Sequence, residues 1–175
     1  MVEGKAPIEA VVLDLALRKA LDVAARHESA LVIAADTLVE LNGRVFGKPV
    51  DQEDAGRMLR EMSGRRHRVL TGLVVLDTAS MQAKTILVET SVYFREITGP
   101  EIEAYLASGE PFDKAGAYGI QGLGAVFVSR IEGDYYNVAG LPIAALNRLL
   151  DEFGCCLICR HLANRRAGAP TSPTL

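Results

Sequence analysis

The chain has 175 residues, enough for one domain with a single core. Hydrophobic residues make up 49% and charged residues 23%, a globular balance that excludes wholesale disorder. The net charge of -3 speaks against nucleic acid as a partner, although a nucleotide needs only a few local cations. No apolar run approaches the roughly 20 residues of a bilayer span, and the first residues lack the apolar stretch of a signal peptide. The three cysteines, Cys155, Cys156 and Cys159, cluster near the C-terminus rather than forming a distributed disulfide framework, which points to a reducing cytoplasm.

In chain order, Pro7 to Arg26 reads as a helix, with Leu13, Leu17 and Leu21 every fourth residue. Ala30 to Ala35 is a short apolar run, expected as a buried strand that ends at Asp36-Thr37. Leu38–Leu41 and Arg44–Phe46 flank Asn42-Gly43, a two-residue hairpin signal. After Gly47-Lys48-Pro49, Asp51 caps a helix running to Met62, stopped by Ser63-Gly64. Arg68–Leu76 and Ile86–Phe94 read as long strands. Thr98 caps a helix over Pro100–Ala107. A glycine-rich stretch follows Ser108-Gly109-Glu110-Pro111. Ala125–Ile131 and Tyr135–Val138 suggest a second hairpin, and Pro142 opens a last helix reaching Phe153. This order implies α/β with a mixed sheet. Residues 1–154 form the expected domain, and 155–175 read as a disordered tail.

Three stretches carry chemistry. Asp36, after the apolar run, is placed to bind a divalent cation or act as a base toward water; a turn or capping role is the alternative. Lys48, on a turn stiffened by Pro49, can reach a phosphate, though most lone lysines are simply solvated. Phe112 to Gly122 combines three glycines with Asp113, Lys114 and Gln121. Its backbone N–H groups can face an anion, and the Gln121 amide can read a base edge. His67 and Thr71-Gly72 read as structural. Cys155-Cys156-x-x-Cys159 with His161 lacks the second pair of a zinc site.

Taken together, Ala34-Ala35-Asp36-Thr37, Gly47-Lys48-Pro49, Met58–Gly64 with His67 and Thr71-Gly72, Asp113-Lys114-Ala115-Gly116-x-Tyr118-Gly119-Ile120-Gln121-Gly122 and Asn137-Val138-x-Gly140-Leu141-Pro142 resemble the Maf family of nucleotide pyrophosphatases, in family order from Lys19 to Phe153. The resemblance implies a mixed twisted sheet with flanking helices, two lobes around a cleft, like the inosine triphosphate pyrophosphatases. It implies metal-dependent cleavage (Mg or Mn) of a nucleoside triphosphate to monophosphate and pyrophosphate. Asp36 matches the family's proton acceptor. Lys19, Lys48, Asp113 and Lys114 match substrate-binding positions, and Glu3 more weakly a metal-binding glutamate. Thr37 and Gln121 match the positions that separate subfamilies, and resemble the dTTP/UTP branch rather than the 7-methyl-GTP branch. The family's septum-formation name implies a link to division arrest. Nothing here corresponds to the family's opening Ser-x-Ser-x-Arg-Arg segment, so a non-catalytic nucleotide-binding remnant is the alternative to an active enzyme. A sheet edge left open by a missing strand would also favour a homodimer.

Overall fold

The computed structural model describes residues 6–159. Helix α1 spans Ile8–Ala24, and strand β1, Leu31–Leu41, turns at Asn42-Gly43 into β2, Arg44–Phe46. Both turn residues have positive φ (53° and 80°), the conformation for which the Asn-Gly pair is suited. Helix α2 covers Gln52–Met62. The Asp51 carboxylate accepts from the Asp54 N–H at 2.8 Å, and Ala55, Met58, Leu59 and Met62 are buried along one face. Strands β3, Arg66–Asp77, and β4, Gln82–Phe94, form a long hairpin. Helix α3, Gly99–Ala107, begins with a capping box in which Glu101 accepts from the Thr98 N–H at 2.8 Å. Three single 3₁₀ turns, Glu110–Asp113, Ala115–Ala117 and Leu123–Phe127, lead into β5, Val128–Glu132. Helices α4, Tyr135–Val138, and α5, Ile143–Asp151, complete the described fold.

The sheet order is β2-β1-β3-β4-β5. The α/β class holds, but every pairing among the described residues is antiparallel rather than mixed. The cause is the connections: β1–β2 and β3–β4 are tight hairpins, and α2 returns the chain to pair β3 beside β1 in the opposite direction.

Three expectations for individual elements change. The apolar run does not end at Asp36-Thr37: β1 continues through both, because β3 supplies partners from Leu31 to Glu40. Tyr135–Val138 is a helical turn rather than a strand. The Asp134 carboxylate caps it, accepting from the Tyr136 N–H at 2.8 Å, after Gly133 turns the chain at φ 130°. Likewise β5 starts only at Val128, the residues before it being 3₁₀.

Hydrophobic packing concentrates at the two ends of the long strands. At one end Val39, Val69, Val92 and Phe94 pack against α2, α3 and the 110–127 region. At the other end alternate residues of β3 face opposite helices, as a strand buried on both faces requires. Leu73 and Val75 meet α5, while Val74 and Leu76 meet Ala16, Ala20 and Ala24 of α1. Two lobes result, with the middle of β1 and β3 between them. Cys155 packs into the α5 cluster, and Cys156 is bonded to Cys159, a local link three residues apart. Glu3 and residues 160–175 lie outside the described residues.

Candidate active site

Asp36 stands in the middle of β1, opposite Gly72 on β3. Its carboxylate is largely sheltered, 15% exposed, and is ion-paired with Lys19 from α1. That pairing depends on how closely α1 approaches the sheet. A Cβ on Gly72 would lie 2.6 Å from the carbonyl oxygen of Val12, so only glycine lets the helix backbone rest here.

The next residue is wired in the other direction. The Thr37 hydroxyl bonds that of Thr71 at 2.9 Å, and the Thr71 hydroxyl donates to the Asn137 carbonyl at 3.4 Å. The buried Asn137 amide donates to the Val69 carbonyl and the Thr90 hydroxyl at 3.1 and 3.0 Å. This network fixes the segment Val138-Ala139-Gly140 as a wall beside Thr37.

The turn carrying Lys48 is anchored to the glycine-rich stretch. The Gly116 N–H donates to the Gly47 carbonyl at 3.0 Å. Gly116 has φ 70°, and its Cα faces Val39 so closely that a Cβ would meet that side chain at 3.0 Å. Lys114 pairs with Asp113 at 2.6 Å. That hydrogen bond, with a smaller contribution from the Lys48 charge, holds the Asp113 carboxyl below its ordinary range.

Glu110 was not singled out from the sequence, yet it is the most heavily bonded carboxylate here. It accepts from the Leu123 N–H at 2.8 Å, the Gly124 N–H at 3.1 Å and the Tyr105 hydroxyl at 2.8 Å. Burial works to raise its pKa, but these donors outweigh it and the net shift is downward. Sequence could not have flagged it, because two of its three donors are backbone groups 13 and 14 residues on.

These groups open onto one cleft of about 540 Å³. Lys19, Asp36, Lys48, Asp113 and Lys114 give it charge. Thr37, Tyr118, Ile120, Gln121 and the 138–140 wall give it a less polar side. All the sequence candidates within the described residues line it. His67 does not: it is buried beneath Tyr118, with Nε2 2.9 Å from the Tyr118 hydroxyl. Among the described residues no group of three or more His, Cys, Asp or Glu gathers as a ready-made metal cage.

Residues 2–153 match the family model described as "Maf-like protein". The chain is 46% identical over 156 residues to a dTTP/UTP pyrophosphatase of Dictyoglomus turgidum, covering 89% of this chain and 80% of the relative. It is 55% identical over 141 residues to a dTTP/UTP pyrophosphatase of Alkaliphilus metalliredigens, covering 80% and 73% respectively. A third relative of that name, from Moorella thermoacetica, is 52% identical over 148 residues, covering 85% and 76%.

Proposed function

Because this chain belongs to the Maf family, we propose that it hydrolyses dTTP and UTP to the monophosphate and pyrophosphate. One observation carries the reading: a sheltered carboxylate, Asp36, shares a cleft with three lysines from separate segments. Water attacks the α-phosphorus and gives its proton to Asp36. The bond from the α-phosphorus to the bridging oxygen breaks, and pyrophosphate leaves with the electron pair. Lys19, Lys48 and Lys114 balance the charge that builds on the departing group. Gln121 and the wall beside Thr37 meet the pyrimidine, whose carbonyl and imide edge suits an amide that both donates and accepts.

A divalent cation, Mg²⁺ or Mn²⁺, fits this donor set in one way. Glu110 is committed to three donors; Asp36 and Asp113 each pair with one lysine, and Asp36, the more sheltered of the two, is the carboxylate that would face the metal. Magnesium is commonly held by one or two carboxylates together with substrate phosphates and water. The cation supplies charge neutralisation at the phosphates.

We also propose a housecleaning role, clearing modified or surplus pyrimidine triphosphates, which would put the protein in the cytoplasm with its substrates. No described helix is long and apolar enough to cross a membrane, which is compatible with that location. A homodimer belongs to the same reading: among the described residues no strand lies beside the Leu31–Leu38 edge of β1.

The test is pyrophosphate release from a panel of triphosphates with Mg²⁺ or Mn²⁺. dTTP and UTP should lead purine triphosphates, 7-methyl-GTP included. Asp36→Asn should lower kcat by roughly 10²- to 10⁴-fold, the usual range for losing a general base. Folded wild-type protein that turns over no triphosphate overturns the reading and favours the nucleotide-binding remnant.

A further inference from the structure

Gln121 belongs to a stretch with little regular structure, yet a base-reading amide must be held to a fraction of an ångström. Two side chains hold it in place. The Glu110 carboxylate takes the N–H groups of Leu123 and Gly124, the residues just past Gln121-Gly122. Its third donor, the Tyr105 hydroxyl, in turn accepts from the Gly119 N–H at 3.1 Å. Both flanks of Gln121 are therefore tied, one to Glu110 and the other to Tyr105, which are themselves bonded.

The rest of the packing agrees. A Cβ on Gly122 would intrude directly on the Glu110 carboxylate, so glycine is required for the carboxylate to reach past it. Tyr105 is buried edge-on against Phe127 at 5.0 Å between ring centres, which fixes its hydroxyl. Burial keeps the Tyr105 phenol well above its ordinary pKa, so it serves as a neutral donor.

We propose that Glu110 is a positioning residue for base selection: with Tyr105 it clamps residues 119–124 so that Gln121 meets the pyrimidine edge. The inference rests on the proposed pyrophosphatase reading for its substrate, but its mechanism is separate from phosphate chemistry. A hydrogen bond from backbone to carboxylate is among the stronger ones, and its loss frees the loop, while Lys114, which feels the Glu110 charge, keeps its hydrogen bond to Asp113.

The experiment compares Glu110→Gln, Glu110→Ala, Tyr105→Phe and Gly122→Ala with the wild type. The readouts are kcat/KM for dTTP over dGTP, and inhibition by pyrophosphate. Glu110→Gln keeps one acceptor oxygen and should lower the dTTP/dGTP ratio about tenfold, mainly through the KM for dTTP. Glu110→Ala should lower it further. Tyr105→Phe should fall between Glu110→Gln and wild type, and Gly122→Ala should follow Glu110→Gln because it displaces the same carboxylate. Pyrophosphate inhibition should stay within about twofold, since Lys19 and Lys114 keep their carboxylate partners Asp36 and Asp113. A lowered melting temperature with an unchanged ratio overturns the proposal, as does a parallel loss of base preference and pyrophosphate inhibition. If wild type turns over no triphosphate, the hydrolytic reading fails alone. The dissociation constants for dTTP and dGTP then give the same ratio, and an unchanged ratio in Glu110→Ala again overturns the clamp.

Discussion

His67 has one ring nitrogen 2.9 Å from the Tyr118 hydroxyl and the other, Nδ1, buried without a partner. Phe94 and Tyr118 present edges at 4.8 and 5.4 Å. Charging the ring in this apolar pocket is costly, and burial lowers its pKa from 6.5 to about 4. The folded protein therefore resists protonation that the unfolded chain accepts. The stability due to a neutral His67 is fully present above pH 6.5 and is lost progressively as pH falls from there toward 4. At about 1.4 kcal/mol per unit, the loss over that window is about 3 kcal/mol. Urea unfolding between pH 4 and 7 should show this slope, and His67→Gln should flatten it. Because Tyr118 lines the cleft, the same protonation should loosen the cleft floor before the chain unfolds.

At the scale of elements, the contact of α1 with β3 does most to build the site. Gly72 lets the Val12 carbonyl sit on the strand, and two turns later the helix delivers Lys19 to Asp36. Gly72→Ala forces the helix outward, a small-to-large change that costs typically about 1–3 kcal/mol. The melting temperature should fall by roughly 2–4 °C for each of those kcal/mol. Activity should fall more than stability predicts, as Lys19 loses its reach; Gly72→Ala assayed well below its melting point separates the two.

Much of this layer is legible in the sequence, and what is not has definite causes. Asn42-Gly43, the Asp51 cap and the apolar face of α2 are local signals, and each element follows them. Asp36-Thr37 reads as a break because polar residues interrupt an apolar run. The strand continues because the pairing that decides it comes from β3, some 35 residues on. Tyr135–Val138 misleads in the opposite sense: aromatic and β-branched residues suggest a strand, but the Asp134 cap governs. In the site, Asp36, the lysines and Gln121 stand in recognisable motifs, whereas Glu110 reaches the loop beside Gln121 through backbone groups, which leave no side-chain pattern.

At the scale of the whole molecule, the cleft draws on α1, β1, the turn after β2, β3, the 110–122 stretch and the 138–140 wall. No short piece of chain contains it, so its parts meet only when both lobes are packed. A nucleotide that spans the cleft then acts as a bolt through the fold, and mass action turns its affinity into resistance to heat. At a concentration of a hundred times Kd the gain is about 2.7 kcal/mol. For a chain of this size that is roughly 5–10 °C in melting temperature. A non-hydrolysable dTTP analogue with Mg²⁺ should produce such a shift in differential scanning fluorimetry, and an unmoved transition at saturating analogue would mean that the cleft does not hold it. By the same linkage, a protein whose six segments are pinned by its own substrate should survive longest when there is most of that substrate to remove.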